Sequence, residues 1–380
     1  MIQLTVWMNM PSFYQADFFR SLLASEEIDL QVIYARRLPA DRLQLGWEDD
    51  LHGYPYKFLS PRRREIDAIK LAWSQSDRIH IVNGIFGEPS FTFTCAALAL
   101  RGSTYLIHSE ASDPSTPRSL ARRMAKSALG SILTRRAAGV LSISRLAEDF
   151  YRSLKVPEEK IYAFGYFRHN GRAINSPSPS KDNNRIEIIY IGQLVRRKGI
   201  DILLEALRPL FAQHRNLFLT IVGTGEMQTA LQAQVEALGL DGRVLFEGAI
   251  NSDSVPARLA GADLLVLPSR WDGWGLVVNE AFSAGVPVVV SDRCGAADLV
   301  RQGINGYVFR NESVAELRAC LSAFLDAKTN RPQLEASALG TASSISTEAV
   351  APYLINCLKH ITGLVKEKPL PPWLSKAVTL

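Results

Sequence analysis

The sequence predicts an α/β protein with two Rossmann-like, doubly wound domains that face each other across a cleft. Three observations support this fold class. The chain has 380 residues, whereas a single hydrophobic core rarely grows beyond about 250–300 residues. Short β-rich runs alternate with helical patterns along both halves, which is typical of parallel sheets built from βαβ units. Between the halves lies a polar stretch with two prolines, 174–184, whose composition indicates an extended linker.

The linker sets the expected domain boundaries. We expect an N-terminal domain at 1–173, the linker at 174–184 and a C-terminal domain at 185–363. The remaining tail, 364–380, either crosses back onto the N-terminal domain or stays loose.

The first half contains five runs with the composition of buried strands. These runs are Gln3–Trp7, Leu30–Tyr34, Arg78–Val82, Thr104–Ile107 and Gly139–Ile143. Helical patterns between them complete a first set of βαβ units.

The second half is more regular. Its predicted strands are Arg185–Ile191, Leu217–Val222, Val244–Phe246, Ala262–Pro268 and Val286–Val290, with one helix from Ile200 to about His214 and another that ends near Leu238. Ligands of parallel sheets bind beyond the carboxyl ends of the strands. Three glycines and one loop follow predicted strands and should therefore lie at that edge: Gly192, Gly223, Gly248 and the loop Pro268–Gly275.

Composition excludes several classes of protein. Hydrophobic residues make up 47% and charged residues 21% of the chain, which rules out a disordered polymer. No apolar run approaches the roughly 18–20 residues that span a bilayer, and the opening MIQLTVWMNMPSF lacks the pattern of a secretory signal. The four cysteines, Cys95, Cys294, Cys320 and Cys357, form no CxxC pair. This argues against a zinc site and fits a reducing, cytoplasmic environment.

The positive charge is unevenly distributed. Residues 1–175 carry 23 Lys and Arg against 18 Asp and Glu, so the whole formal excess of +5 lies in this half. Such asymmetry indicates an anionic partner, such as a membrane surface, a nucleic acid or a phosphorylated ligand.

The most specific motif is PSRWDGWGLVVNEAFSAGVPVVVSD at 268–292. Gly273 and Gly275 let the backbone approach a ligand closely, and a helix starting near Leu276 points its N-terminal amides at the same place, which suits a diphosphate. Glu280, about one turn into that helix, can accept hydrogen bonds from a vicinal diol such as a ribose. Asp272 would reach another part of the same ligand.

A second motif, IGQLVRRKG at 191–199, carries three successive cations from a strand end into a helix. Arg196, Arg197 and Lys198 can there neutralise a diphosphate leaving group. An ordinary basic surface loop is the alternative, and Arg196 is the one of the three that we expect to face solvent.

Together these motifs resemble the retaining GT-B glycosyltransferases of family 4, the glycosyl transferases group 1. The pattern from Asp272 to Glu280 matches the acid-x7-Glu signature, with Asp272 where the family usually has Glu. Lys198 matches the lysine of the family's G-R-L-x-x-x-K-G pattern, and Gln193 stands where an Arg is usual, so that Arg197 or Arg196 would supply the guanidinium.

The resemblance implies roles for these residues. Glu280 would bind the nucleotide ribose, and Asp272 would contact the donor sugar. The backbone amides of Gly273, Trp274, Gly275 and Leu276 would contact the sugar and the diphosphate.

It implies further, less specific contacts. Gly192, Gly223 and Gly248 follow strands near the nucleotide, and the segment at Gly248 would recognise the base mostly through backbone groups. His108 stands where the family often has a histidine near the donor sugar and the acceptor, although a lone histidine is also a common structural residue.

A basic segment in the first half points to a membrane. Arg118, Arg122, Arg123, Lys126, Arg135 and Arg136 occur with no acid among them, and Leu120, Met124, Ala128 and Ile132 recur every four residues. A basic amphipathic helix of this kind can lie on an anionic membrane. It can also be a surface helix that packs its apolar side on the sheet. Nucleic-acid binding is disfavoured because few aromatics are interleaved and no recognition module is present.

The sequence thus predicts a retaining glycosyltransferase that moves a sugar from a nucleotide-diphosphate sugar to a hydroxyl of a glycan or lipid-linked acceptor, as in the synthesis of a cell-surface polysaccharide or glycolipid. We expect no metal requirement, because no DxD-type motif is suitably placed and cations can hold the leaving group. Two alternatives stay open: a sugar-nucleotide epimerase or phosphorylase of the same plan, and a non-catalytic protein that binds sugar nucleotides or membrane surfaces.

Overall fold

The computed structural model describes residues 1–39, 49–85, 88–111, 113, 120–168, 184–327 and 330–374; in the helix that begins at Leu120 it describes side chains from residue 128 onward. The chain divides into two compact units, Met1–His169 with Ser346–Ser375 and Asn170–Ile345. Each unit is a parallel sheet with helices, which confirms the predicted Rossmann-like class. The predicted linker lies outside the described residues except for Asn184 at its end.

Over its described residues, the first unit has a seven-stranded sheet in the order β3-β2-β1-β4-β5-β6-β7. The strands are Ile2–Met8 (β1), Ile28–Tyr34 (β2), Tyr56–Phe58 (β3), Ile79–Asn83 (β4), Tyr105–Glu110 (β5), Gly139–Ile143 (β6) and Ile161–Phe164 (β7). The helices are Phe13–Leu23 (α1), Arg64–Ser74 (α2), Pro89–Arg101 (α3), Leu120–Arg136 (α4) and Arg145–Ser153 (α5), with α12 added from the C-terminal segment, Thr347–Ile361.

The second unit has a six-stranded sheet over the part of the chain described, in the order β10-β9-β8-β11-β12-β13. The strands are Ile186–Ile191 (β8), Leu217–Val222 (β9), Val244–Gly248 (β10), Leu264–Leu267 (β11), Val288–Ser291 (β12) and Gly306–Phe309 (β13). The helices are Ile200–Gln213 (α6), Gln228–Ala237 (α7), Val255–Ala260 (α8), Val277–Ser283 (α9), Val314–Asp326 (α10) and Arg331–Ser344 (α11).

The central strands are apolar because helices cover both faces of each sheet. Every residue of β11 and β12 is buried. The register pairs β11 with both β8 and β12, and β8 with β9, so the carboxyl ends of four strands lie next to one another. This edge carries the residues that the sequence singles out in the second unit.

Three strands were not predicted from the sequence. β3 has only three residues and lies at an edge with little burial, so it has no hydrophobic pattern. β7 and β13 have four residues each and are closely flanked by charged residues, asparagine or glycine, so neither belongs to a longer apolar run that would reveal it.

The C-terminal segment differs from the predicted boundary at residue 363, because α12 belongs to the first unit. α12 packs on α1, and the hydroxyl of Tyr353 donates to the carbonyl oxygen of Ala163 at 2.9 Å. Beyond α12, the ammonium of Lys368 donates to two carbonyl oxygens around β7, and Trp373 stacks on Phe167 with ring centroids 5.1 Å apart. The described part of the tail, up to Leu374, therefore covers the β7 edge of the first unit.

Candidate functional site

Three predicted glycines meet at the ends of β8, β9 and β10. The amide of Gly192 donates to the carbonyl oxygen of Val222 at 3.0 Å, and the amide of Gly223 donates to that of Gly248 at 2.7 Å. Gly223 has φ +133°, and a Cβ there would lie 1.9 Å from the carbonyl oxygen of Gly192. Only a residue without a side chain permits this approach. The three strand ends therefore form a surface of bare backbone.

The turn of three cations is fixed against the end of β11. Arg196–Lys198 forms one turn of 3₁₀ helix that ends at Gly199, whose φ is +68°. A Cβ on Gly199 would lie 2.1 Å from the carbonyl oxygen of Pro268. The amide of Arg270 donates to the carbonyl oxygen of Arg197 at 2.8 Å. The loops after β8 and β11 are thus packed backbone to backbone.

Lys198 and Asp272 form an ion pair between these two loops, with side chains 12% and 13% exposed. Two weakly acidic side chains next to this pair, the phenol of Tyr190 and the thiol of Cys294, stay neutral. Burial, and secondarily the charge of Asp272, raises the pKa of Tyr190, whose hydroxyl donates to the carbonyl oxygen of Gln193. The same two causes raise the pKa of the Cys294 thiol. Asp272 is the acidic side chain that contacts Lys198.

The loop that follows Asp272 is held by its own backbone. The amide of Asp272 donates to the carbonyl oxygen of Arg293, and its carbonyl oxygen accepts from the amide of Gly295, each at 3.0 Å. Gly275 has φ +94°, and a Cβ there would meet the sulfur of Cys294 at 2.7 Å. These contacts fix the course of the loop up to α9.

The amides of this loop can receive an anion. Among the described residues, the amides of Gly273, Gly275 and Leu276 donate to no acceptor. Leu276 is the residue before α9, and α9 has seven residues. The amides of the loop itself, more than a long helix dipole, would supply positive potential.

Trp274 and Glu280 differ in what they offer. The Trp274 side chain is 3% exposed and its indole N–H donates to Oδ1 of Asn279 at 2.9 Å, so it serves the core. The carbonyl oxygen of Trp274 accepts from the amide of Ala296 at 2.7 Å and from the thiol of Cys294 at 3.0 Å. Glu280 lies half-buried in the first turn of α9, at the same edge of the sheet as the loop.

Arg197 turns its side chain along the loop after β11. One terminal nitrogen of its guanidinium donates to the carbonyl oxygen of Trp271 at 3.4 Å, in an exposed position. A long cation in this place can swing toward a phosphate beside Lys198.

The sequence analysis missed Arg270. Its guanidinium makes two hydrogen bonds to the carboxylate of Asp201, at 2.8 and 2.7 Å, one to Glu312 at 2.9 Å and one to the carbonyl oxygen of Arg196 at 2.9 Å. It therefore clamps the cationic turn to the start of α6 and to the loop after β11. In the sequence, Arg270 could have been noticed because it stands two residues before Asp272. Its partner Asp201, however, is distant in sequence.

His108 lies in the first unit, within β5, and is 7% exposed. Its Nε2 has no hydrogen-bond partner among the described residues, and burial lowers the pKa of His108 to about 4. The ring packs edge-on against Phe164 and Tyr166, with centroids 5.4 and 6.0 Å away. It borders an apolar cavity of about 50 Å³. His108 is thus a neutral imidazole with an unused nitrogen.

The basic run Arg118–Arg136 also belongs to the first unit. Residues 118 and 119 and the side chains of 120–127 lie outside the described residues. The described members of its predicted apolar face, Ala128 and Ile132, are exposed, while Leu133 is buried. Within the described ranges, no helix is long and apolar enough to cross a membrane.

The arrangement in the second unit suits binding of a diphosphate ester. It combines bare backbone, unpaired amides, a lysine and an arginine beside one carboxylate, and a second carboxylate on α9. In the part of the chain described, no group of three or more His, Cys, Asp or Glu side chains could hold a metal ion.

Sequence comparisons point to one family. Residues 172–339 match the profile of the family described as Glycosyl transferases group 1. An uncharacterized glycosyltransferase of Methanocaldococcus jannaschii is 35% identical over 119 residues, which cover 31% of this chain and 30% of that protein. The alpha-D-kanosaminyltransferase of Streptomyces kanamyceticus is 25% identical over 201 residues, or 50% of this chain and 52% of that protein. The matches thus span about half or less of these relatives' lengths.

The solved structures extend the likeness to both units. A crystal structure of Anabaena HepE in complex with UDP superposes with a TM-score of 0.73 and 19% identity, covering 94% of this chain and 100% of that one. This likeness shows a shared fold, the two Rossmann-like domains of GT-B proteins. Residues 172–339 are thus similar to the glycosyl transferases group 1, and both units share the fold of GT-B proteins.

Proposed function

We propose that the protein is a glycosyltransferase that moves a sugar from a nucleotide-diphosphate sugar to a hydroxyl of a glycan or lipid-linked acceptor, with retention of the anomeric configuration. The observation that carries the proposal is the Lys198–Asp272 pair beside the bare strand ends of the second unit. The similarity to an alpha-D-kanosaminyltransferase, and to a protein crystallised with UDP, supports it.

In this proposal the second unit binds the donor. Lys198 and Arg197 hold the diphosphate together with the amides from Gly273 to Leu276, and Glu280 accepts hydrogen bonds from the ribose hydroxyls. The flat backbone of Gly192, Gly223 and Gly248 leaves room for the nucleoside. Asp272 contacts the donor sugar once the diphosphate has drawn Lys198 toward itself.

The catalytic step follows from the charges. The bond between the anomeric carbon and the diphosphate oxygen breaks, and the electron pair leaves with the diphosphate, where Lys198 and Arg197 stabilise the added charge. The acceptor hydroxyl attacks from the same side and loses its proton to the departing phosphate oxygen. The first unit binds the acceptor, and His108 contacts it. Contact of Arg118–Arg136 with an anionic membrane completes the proposal.

Calorimetry and thermal unfolding with UDP, GDP and ADP test the donor site. One nucleotide should stabilise the protein against unfolding by about 2.7 kcal/mol at a hundredfold excess over Kd. Glu280→Gln should weaken the binding of this nucleotide. The corresponding 2′-deoxy- and 3′-deoxynucleotides should lose less affinity in Glu280→Gln than in the parent protein. If the deoxynucleotides lose the same affinity in Glu280→Gln as in the parent protein, Glu280 does not bind the ribose.

NMR of the reaction tests the transfer. With the matching nucleotide sugar and an acceptor, the product should keep the donor's anomeric configuration. Inversion would exclude retention, and epimerised free nucleotide sugar without acceptor would favour an epimerase. Nucleotide binding with no turnover for any acceptor, unchanged by replacing Lys198, would favour a non-catalytic binding protein.

A further inference from the structure

In the second unit, the loop after β12 lies beside the loop that carries Asp272. β11 stands between β8 and β12 in the sheet, so the loop after β11 has the turn with Lys198 on one side and residues 292–295 on the other. Backbone hydrogen bonds join it to residues 292–295. The amide of Asp272 donates to the carbonyl oxygen of Arg293, and the amide of Gly295 donates to that of Asp272, each at 3.0 Å. The backbone of Arg293 is therefore held next to Asp272.

The two loops are closely packed around this junction. A Cβ on Gly295 would lie 2.2 Å from the carbonyl oxygen of Gly273. Cys294 is 1% exposed, and its thiol donates to the carbonyl oxygen of Trp274 at 3.0 Å. The side chain of Arg293, just before this buried cysteine, is exposed. A fixed backbone thus presents a long cation to solvent at the carboxyl edge of the sheet.

The charge of Arg293 is not compensated by the protein. Among the described residues, its guanidinium has no hydrogen bond and no ion pair. Arginines in two neighbouring loops are paired, Arg270 with two carboxylates and Arg310 with one. The adjacent acid, Asp292, instead accepts from the amide of Asn311 at 2.9 Å. Arg293 is therefore available to an anionic group of a ligand.

In the proposed donor complex, Arg293 lies on the sugar side. The nucleoside would occupy the bare ends of β10, β9 and β8, the diphosphate would lie at Lys198, and the sugar would lie at Asp272 after β11. These places follow one another along the sheet in the order β10-β9-β8-β11-β12-β13. The next place in that order is the loop after β12. Arg293 is thus close to the part of the sugar that lies farthest from the nucleoside.

We propose that the donor sugar carries a carboxylate, as a hexuronic acid does, and that Arg293 binds this carboxylate. A guanidinium can form two parallel hydrogen bonds with a carboxylate, whereas the hydroxymethyl group of a neutral hexose carries no charge. The diphosphate already has Lys198 and Arg197, so it does not require Arg293. The inference rests on the proposed function and names the class of sugar that is transferred. The carboxylate takes no part in the reaction, in which the bonds at the anomeric carbon break and form as described above.

Calorimetry with matched donors tests the proposal without an acceptor. UDP-glucuronic acid is compared with UDP-glucose, UDP-galacturonic acid with UDP-galactose, and GDP-mannuronic acid with GDP-mannose. The members of each pair differ only in a carboxylate or a hydroxymethyl group on the sugar. In one pair, the protein should bind the acidic donor at least about tenfold more tightly than the neutral one. A concentration of 0.5 M NaCl should reduce this preference, because salt screens an exposed ion pair.

Substitutions at Arg293 test the residue itself. Arg293→Gln should weaken binding of the acidic donor at least about tenfold and leave binding of the nucleoside diphosphate and of the neutral donor unchanged. Arg293→Lys should keep only part of the preference, because the charge remains while the paired contact is lost. The matched control is Arg215→Gln, since Arg215 is also exposed but precedes β9 at the opposite edge of the same sheet. The control should bind every donor as the parent protein does.

Three results would overturn the proposal. These are equal affinity for acidic and neutral donors, a preference that Arg293→Gln retains, and a loss in Arg293→Gln that is the same for both donors of a pair. The third result would make Arg293 a support for the loop around Asp272. In all three cases the nucleoside diphosphate binds and the proposed transferase stands. If no nucleoside diphosphate and no donor binds, the proposed function is wrong and this inference falls with it.

Discussion

The ammonium of Lys198 is paired with the carboxylate of Asp272, which joins the turn after β8 to the loop after β11. Both side chains are largely buried, so each charge depends on the other until a ligand offers a replacement. A diphosphate is such a replacement for Lys198, and its arrival would free Asp272 for the sugar. Donor binding and carboxylate positioning are thereby coupled.

This coupling predicts opposite effects at the two positions. Lys198→Ala should weaken binding of the nucleoside diphosphate and lower transfer by about 10²–10³-fold, as for loss of one stabilising donor. Asp272→Asn should leave diphosphate binding as tight or tighter, because Lys198 loses its competing partner, while transfer falls. Calorimetry with the diphosphate and steady-state kinetics with its sugar measure the two effects. Asp272→Glu, which retains the charge, is the control; weaker diphosphate binding in Asp272→Asn would contradict the coupling.

Arg270 should act as a positioning residue for the cationic turn. Its hydrogen bonds to Asp201 at the start of α6 and to the carbonyl oxygen of Arg196 hold the turn in place. Arg270→Ala should weaken diphosphate binding about tenfold, or about 1.4 kcal/mol, and Arg270→Lys should recover little, since lysine cannot make the paired contact with a carboxylate.

The control for Arg270 is Arg310→Ala, which removes an arginine whose side chain is 73% exposed and pairs with Glu316. It should leave diphosphate binding unchanged. Full recovery of binding by Arg270→Lys would show that only the charge matters.

Gly199 and Gly239 form a matched pair for backbone geometry. Their φ angles are +68° and +67°, but a Cβ on Gly199 would lie 2.1 Å from the carbonyl oxygen of Pro268, whereas Gly239 has open space. Gly239→Ala should cost about 1–2 kcal/mol of unfolding free energy, the left-handed penalty alone. Gly199→Ala should cost clearly more and should also weaken diphosphate binding. Urea unfolding and calorimetry test both; equal costs would mean that the loops are not in contact at this point.

Acid should destabilise the first unit through two buried histidines. Burial lowers the pKa of His80 and of His108 to about 4, while the unfolded chain binds these protons near pH 6.5. The unfolded state therefore holds more protons between pH 6.5 and 4, and stability is complete above pH 6.5 and is lost as the pH falls through this window. The loss is on the order of 3 kcal/mol per histidine.

Unfolding free energies between pH 7.5 and 4.5 check this expectation. His108→Gln should show a shallower dependence on pH than the parent chain. His80 should keep its own part, because the indole N–H of Trp7 donates to its Nδ1 at 3.1 Å and protonation there would break that bond. An unchanged slope in His108→Gln would contradict a buried neutral imidazole at this position.

The sequence by itself determined the fold class, the strands with long apolar runs and the residues of the two motifs. Those features are local: strand composition, glycines at strand ends, and acids and cations at fixed spacing. Residues that follow parallel strands lie at one edge of the sheet, so a motif after a strand also indicates where the site lies. Only the tertiary structure decided which residues from distant segments meet. It paired Lys198 with Asp272 and Arg270 with Asp201, placed α12 in the first unit, and turned Ile132 outward. Contacts of this kind depend on how the βαβ units stack and on which side of each helix is buried, and the order of residues along one segment does not contain that information.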